Sequence, residues 1–446
     1  MSWIAKDPTK RRGIYLVTHR SLANQKFEEF RRILLGPLFS DSGDALVLAT
    51  GERQEDANGA PVTDPLRAPL LIATYEKYLG LLCGSGIPTD LRDVCIVADE
   101  VQIIGDKYRG VNVEILLTLI KGARPGQFVG LSAVIAEADG RHLADWLGVQ
   151  LVRVPHREKH LRYECRSPTK IASFSTGNPG QGIAETQRKP TQPLELIPLL
   201  RELMARKSGK PIVVFCMRKQ DVYQGSRDYC RAAGLTIENA PLLAGLSVDT
   251  SEGKILSGIL PHRMAIHCAD LIEEDRAKVE EALASSEVDL VFATSTLAAG
   301  VNFPIGTVVF YSWTRWNFGA RASEAISSGE FHNMAGRCGR MGTEHEAGEV
   351  IFTCGDGHRN VAAARRYLTP DQLDGIDSHI SSDHFLTLLL QLAASGVVKT
   401  EADALAFLKA TFGAARELAV NAAGLNHWDL PFQEAVKQLR EWSFIR

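Results

Sequence analysis

Short, almost unbroken apolar runs alternate with helix-length segments along most of this chain, and that alternation leaves few folds open. In the first half the runs are Gly13–Thr18, Ala45–Ala49, Leu70–Ala73, Val94–Ala98 and Phe128–Ser132. In the second they are Pro211–Phe215, Met264–His267, Val288–Ala293, Thr307–Tyr311 and Glu349–Thr353. A strand apolar at every position is buried on both faces, as happens in parallel sheets whose crossover helices cover both sides. The pattern therefore predicts an α/β chain with two parallel-sheet domains in tandem, and 446 residues suffice for two to four domains. Ser167–Pro193, rich in Ser, Thr, Gly, Pro and Gln, reads as a linker or surface excursion. Ala240–Leu260 follows neither period and reads as a loop insertion. From about Asp371 the pattern turns helical: Phe385–Ala394 is apolar and stops at Gly396, Thr400 to Asp403 resembles a capping box, and Phe432–Phe444 is amphipathic. The expected division is a first domain over 1–165, a linker over 166–193, a second domain over 194–368 and a helical domain over 369–446.

Composition narrows the function classes. A net charge of -3 gives no global nucleic-acid signature, so any phosphate binding must come from a local groove. The longest apolar stretch, Phe385–Val398, is interrupted by Gln391 and Gly396, and the first residues lack a signal-peptide pattern, so no membrane association is expected. Eight cysteines (Cys83, Cys95, Cys165, Cys216, Cys230, Cys268, Cys338, Cys354) include no Cys-x-x-Cys pair. Reduced thiols in the cytoplasm fit better than disulfides or a zinc site.

The chemistry-bearing stretch is Cys95–Gly110. Its apolar strand ends in Asp99 and Glu100, and open α/β sheets bind ligands at that end of their strands. One carboxylate can hold Mg²⁺ directly or through water while the other polarises an attacking water. Taken alone, the pair fits a solvated loop or a helix cap equally well. Arg337 and Arg340 stand three apart in Gly336-Arg337-Cys338-Gly339-Arg340, about one helical turn, so both guanidiniums could face one cleft. Guanidinium forks suit phosphate oxygens, although a surface basic pair has the same spacing. Thr294, Thr296 and Asn302 surround a bend at Gly300 and suit sequence-independent contact with a phosphodiester backbone, or simple capping of the next helix. Arg20 and Lys77 could bind phosphates or be plain solvated charges, and Gln102 could relay between the nucleotide site and the second domain or merely be solvated.

Several stretches also follow a known order. His19–Gln25 looks like motif Ia, Ala73–Lys77 like a strand-contacting motif, Asp99-Glu100-Val101-Gln102 like a DExH box with the tail Gly105-Asp106 and Arg109-Gly110, and Leu131-Ser132-Ala133 like motif III. Val213–Cys216 looks like motif IV, Ala293–Pro304 closely matches motif V, and Phe331–Arg340 closely matches motif VI. On these residues the chain resembles superfamily-two DExH-type helicases, specifically the superkiller-like branch. The resemblance implies two RecA-like domains in tandem, the first N-terminally truncated, followed by a winged-helix-like helical domain. It implies an ATP-dependent helicase or translocase using ATP and Mg²⁺ and moving on single-stranded or partly duplex DNA or RNA. Asp99, Glu100, Gln102, Arg337 and Arg340 would be catalytic, with Asp99 and Glu100 serving Mg²⁺. Asn333, Gly300 and Asn302 would also line the nucleotide site. Arg20, Thr74, Lys77, Arg218, Thr294 and Thr296 would touch the strand, and Ser132 and Ala133 would couple the two sites.

One element is missing from the pattern. No Gly-x-x-x-x-Gly-Lys-Ser/Thr occurs, and the only Gly-Lys pairs, Gly209-Lys210 and Gly253-Lys254, are followed by Pro211 and Ile255. A RecA-like ATPase needs such a loop of backbone N–H groups and a lysine to cradle phosphates. The chain thus resembles a relative that begins just after its phosphate-binding loop, with a partner chain as one possible source of it. The alternative function is an ATP-incompetent nucleic-acid-binding or scaffolding subunit, or a fragment of a helicase. Smaller departures are Gln102 for His, Val134 for Thr, Asp270 for Gly and Asn333 for Gln.

Overall fold

A computed structural model describes residues 2–7, 10–51, 53–154, 159–235, 250–298, 303–317, 321–339, 347–355, 358–369, 373, 375–421 and 424–446. The chain divides into two compact units, Met1–Val152 with Gly375–Arg446, and Arg153–Asp374.

In the first unit the strands β1 (Arg12–Val17), β2 (Leu46–Ala49), β3 (Gln54–Asp56), β4 (Leu70–Thr74), β5 (Val94–Ala98) and β6 (Gln127–Gly130) form one sheet in the order β3-β2-β4-β1-β5-β6. All neighbours are parallel except β2 and β3. Alternate strand residues face opposite ways, so each face buries its own cluster. Val17, Leu46, Leu48, Leu70 and Ile72 pack under Leu22 and Phe27 of helix α2 (Arg20–Phe39), with Ile4 of the short helix α1 (Ser2–Ala5) closing that side. Ile14, Leu16, Val47, Leu71 and Ile96 pack under α3 (Tyr75–Ser85), α4 (Gly110–Gly122) and Trp146 of α5 (Glu137–Leu147).

Helix α4 is apolar all round, the signature of a helix with no solvent face. Val113, Leu116, Leu117 and Ile120 join the sheet core, while Ile115 and Leu119 face Phe385, Leu388, Leu392, Trp428, Phe432 and Leu439. The latter come from the C-terminal helices α12 (Phe385–Ala394) and α15 (Asp429–Glu441) and the turn Asn426–Trp428 just before α15. The expected capping box forms at Thr400 and Asp403, opening α13 (Glu401–Lys409), and Thr411 caps α14 (Phe412–Val420). Residues 375–446 form no strand among those described, and they belong to the same compact unit as the first sheet rather than standing as a separate domain.

The second unit holds α6 (Leu196–Met204), α7 (Lys219–Ala232), α8 (Ser251–Ile259), α9 (Glu273–Ala284), α10 (Ser328–Ala335) and α11 (His358–Arg365). Its strands are β7 (His160–Arg166), β8 (Lys170–Ser175), β9 (Ala184–Gln187), β10 (Ile212–Phe215), β11 (Met264–His267), β12 (Leu290–Ala293), β13 (Thr307–Phe310), β14 (Thr314–Asn317), β15 (Ala322–Ala325) and β16 (Ala347–Thr353). Eight of them make a sheet in the order β11-β12-β10-β13-β16-β7-β8-β9, and β14 and β15 form a separate antiparallel hairpin. The stretch expected as a linker over 166–193 is a correction. Arg166 ends β7, and β8 and β9 extend the second sheet as antiparallel strands. Ile171 and Phe174 are buried, which a solvated linker would not allow. The first domain accordingly ends near Val152 and not at 165. The expected loop insertion over 240–260 contains helix α8, whose N-terminus is capped by Thr250 accepting from the Gly253 N–H; the first part of that stretch, 240–249, lies outside the described residues. No described helix is long and apolar enough to cross a membrane.

Among the buried residues of α4 one is ionisable. Glu114 is fully buried, one carboxylate oxygen accepting from the Gly413 N–H at 2.8 Å and the other from Ser378 Oγ at 2.7 Å. Burial pushes its carboxyl up to about 7, against the lowering effect of the bonds from Gly413, Ser378 and Phe412. A carboxyl raised on folding holds its proton more tightly in the native state, so its contribution is complete in acid and is lost as pH rises from the ordinary glutamate range through about 7. Urea unfolding at pH 5 and pH 8 should show wild type losing about 2 kcal/mol more between those values than Glu114→Gln. Glu114→Leu, which strands the Gly413 and Ser378 donors, should cost about 3 kcal/mol at pH 7 in the same assay.

Candidate active site

Because β1, β4, β5 and β6 run parallel and in register, their C-terminal ends share one edge. Val17 lies opposite Thr74, Leu16 opposite Ala98, and Ala98 opposite Gly130. That edge gathers Arg20 at the start of α2, Thr74 and Lys77 at the start of α3, Asp99 and Glu100 after β5, and Ser132 and Ala133 after β6. All the first-domain candidates are therefore brought to one edge.

Asp99 is the best-held of them. Its N–H donates to the Leu16 carbonyl at 2.9 Å, one carboxylate oxygen accepts from the Glu100 N–H at 3.0 Å, and the other accepts from Tyr15 Oη at 3.0 Å. Tyr75 Oη donates to the Asp99 carbonyl at 2.9 Å. Burial, and then the Asp99 charge, push both phenols far above their ordinary range, so each remains a donor. The two tyrosines were absent from the sequence-derived candidates. The signal was there: each is a polar-tipped ring in or beside an apolar strand, and such a hydroxyl needs a buried partner.

Glu100 takes left-handed backbone angles, φ 53° and ψ 48°. For a residue with a β-carbon that conformation is uncommon and costs on the order of 1 kcal/mol or more, and such residues cluster at functional sites. The chain then forms a 3-10 turn, Val101–Gly105, anchored by the Val101 N–H on the Leu131 carbonyl at 2.9 Å. Gln102 donates through Nε2 to a Glu100 carboxylate oxygen. Arg109 fastens the tail, with Nη2 on the Thr18 carbonyl at 2.5 Å and Nε on Glu76 at 2.7 Å. Thr74 spends its hydroxyl on capping α3, accepting from the Lys77 N–H at 3.3 Å.

The residues present fit a magnesium-bound polyphosphate. Mg²⁺ is commonly held by one or two carboxylates together with phosphate oxygens, and two carboxylates stand here side by side. Gln102 Oε1 and Ser132 Oγ are buried with no hydrogen-bond partner, polar capacity that a ligand at this edge could use.

In the second unit, α10 carries Asn333, and the buried Arg337 follows it with Nη2 donating to Asn333 Oδ1 at 3.3 Å. Arg337 itself lies beyond the helix. The helix ends at Ala335, Gly336 caps it, and Gly339 has a φ of 58°, so the segment leaves helical geometry before Arg340. Arg340, Gly300 and Asn302 lie outside the described residues. Thr294 and Thr296 follow β12 with their hydroxyls 2.9 Å apart, and Arg218 at the start of α7 forks onto Asp221 at 2.8 and 3.0 Å. Removing the Tyr15 hydroxyl tests the Asp99 geometry directly: Tyr15→Phe should lower stability by about 1 kcal/mol in urea unfolding, since ring packing stays and one hydrogen bond goes.

Two protein families match this chain. Residues 2–140 match the DEAD/DEAH box helicase family, and residues 195–342 match the helicase conserved C-terminal domain. Among curated proteins it is similar to the ATP-dependent DNA helicase Hel308 of Aeropyrum pernix, 31% identical over 76% of this chain and 44% of the relative. The Hel308 proteins of Thermoplasma acidophilum and Thermoplasma volcanium are each 25% identical, covering 90% and 98% of this chain and 54% and 59% of the relatives. The chain thus spans about half the length of the curated relatives it matches. With an acidic pair held at the mouth of a parallel sheet and both helicase domains matched in order, the chain belongs to the superfamily-two DExH-type helicases.

Proposed function

We propose that this chain forms the two-domain core of an ATP-dependent helicase or translocase acting on single-stranded or partly duplex DNA. The observation that carries the reading is the Asp99–Glu100 pair, fixed by Tyr15 and Tyr75 at the open end of the first sheet. Magnesium-bound ATP supplies the phosphoryl group and the charge that such a pair is built to manage. Asp99, oriented by two hydrogen bonds, would hold the metal through its carboxylate. Glu100 accepts a proton from the attacking water, and Gln102, bonded to it, keeps its carboxylate aimed. Arg337, Arg340 and Asn333 serve the phosphates from the second domain, and Gly300 and Asn302 line the same nucleotide. Arg20, Thr74, Lys77, Arg218, Thr294 and Thr296 meet the strand backbone, and Ser132 and Ala133 couple strand to nucleotide. The DNA preference follows the relatives' names, and a cytoplasmic location is the reading that eight scattered cysteines without a Cys-x-x-Cys pair support.

The phosphate cradle is not among these 446 residues. Among the described residues β6 pairs only with β5, so its other edge is open to a further strand bearing the phosphate-binding loop. A segment outside this sequence, such as a partner chain, would complete the site. Without it the chain would act as a nucleic-acid-binding or scaffolding subunit.

The test is ATP turnover by the purified chain with and without single-stranded DNA. Strand-stimulated hydrolysis that falls about a hundredfold or more in Glu100→Gln is expected if the cradle is supplied. No hydrolysis, with DNA binding that weakens steeply as salt rises, would favour the binding subunit. Neither hydrolysis nor DNA binding would refute both.

A further inference from the structure

The segment Ile376–Ile380 is neither helix nor strand, yet it is held on every side and lies directly on the turn that follows Glu100. His379 Nε2 donates to the Gly105 carbonyl at 3.2 Å. Ile376 is buried in the same cluster as Val101 and Ile104, the two inward residues of the turn. The closeness explains two glycines of the acidic motif. A β-carbon at Gly105 would stand 3.0 Å from Ile376 Cγ2, and one at Gly110 would stand 2.4 Å from the Ile104 carbonyl oxygen and 3.3 Å from His379 Cδ2.

The segment is in turn fixed to three helices. The Ile376 N–H donates to Asp139 Oδ2 at 3.1 Å, and Arg416 Nη1 donates to Asp139 Oδ1 at 2.7 Å and also to the Ile376 carbonyl. Ser378 Oγ donates to Glu114 and accepts from the Ile380 N–H at 3.0 Å. Both carboxylates are buried, so these bonds resist exchange with water. The strap thus joins α4, α5 and α14 to the turn whose first residue leaves a strained Glu100.

We propose that residues 376–380 are a positioning strap for the acidic loop, with Ile376 and His379 as positioning residues that hold Val101–Gly105 and thereby the left-handed backbone of Glu100. The proposal rests on the reading of Asp99 and Glu100 as the nucleotide site, but its physical content does not. The strap is continuous with α12, so a force on the C-terminal helices is delivered to the loop that carries the carboxylates.

Hydrogen exchange on the full chain tests this, comparing wild type, His379→Ala, His379→Gln and Ile376→Ala. Amides of residues 101–110 should exchange about tenfold faster in His379→Ala, the factor that one net hydrogen bond is worth. His379→Gln, which keeps a donor at that position, should restore protection, and Ile376→Ala should loosen the same peptide. Peptides from β1, β4 and the second unit should not change. Unaltered exchange at 101–110 in both alanine variants would overturn the proposal, as would acceleration spread evenly over the first unit. With a phosphate-binding segment supplied to the same samples, ATP turnover should fall in kcat with KM unchanged in His379→Ala and recover in His379→Gln. Absence of turnover in wild type so supplied would count against the nucleotide reading, while the exchange pattern still decides the strap.

Discussion

Helix α4 has no face to give to water. The sheet core takes Val113, Leu116, Leu117 and Ile120, and the C-terminal helices take Ile115 and Leu119. Burying a large aliphatic side chain stabilises by roughly 1.5–3 kcal/mol, so exposing even the second face would cost several such increments. A chain containing this helix must cover it twice, once from residues just before it in sequence and once from residues 260 or more positions later. The buried Glu114 adds direction to that requirement. Apolar packing alone tolerates sliding, but a carboxylate that accepts from one backbone N–H and one hydroxyl fixes the register of the covering segment.

From this constraint follows the state of the acidic loop. Helix α4 begins at Gly110, five residues beyond the turn that carries Glu100 away from β5. Arg109 ties that junction to the end of β1 and to α3, and the strap closes it from the other side. The strained conformation at Glu100 persists because its surroundings over-determine it, with Asp99 locked behind it by two tyrosines. Packing of the C-terminal helices and geometry of the carboxylates are thus parts of one arrangement.

How much of this could be read in advance depended on the range of the interactions. Strands buried on both faces announce themselves by composition, and every run read as a strand in the sequence forms one, although the ends shift: Thr18, Ala45, Leu131, Ser132, Pro211, Val288, Asp289 and Tyr311 fall outside theirs. The placement of Asp99 and Glu100 at the end of β5 followed from the run before them. The Thr400 cap was legible because its partner, Asp403, is three residues away. By contrast, β8 and β9 sit in a stretch full of Ser, Thr, Gly and Gln, where the composition of a solvated linker and of an exposed edge strand coincide; β9 is exposed throughout. The hairpin of β14 and β15 carries Arg315, Asn317 and Glu324 and has no apolar alternation to betray it. The arginine count assumed a helix that ends at Ala335, before Arg337. Nothing local says that Ile376 returns to Gly105; the only trace was a pair of glycines in the acidic motif with no evident purpose.

The most direct test of this dependence is native-state hydrogen exchange in α4 and α12 across a series of low denaturant concentrations. If both faces of α4 are needed, the slowest amides of α4 and of α12 should open with the same free energy and the same denaturant dependence, as one cooperative unit. If α12 opened several kcal/mol earlier while α4 kept full protection, the C-terminal helices would be an accessory layer, and the account of the acidic loop built on them would fail.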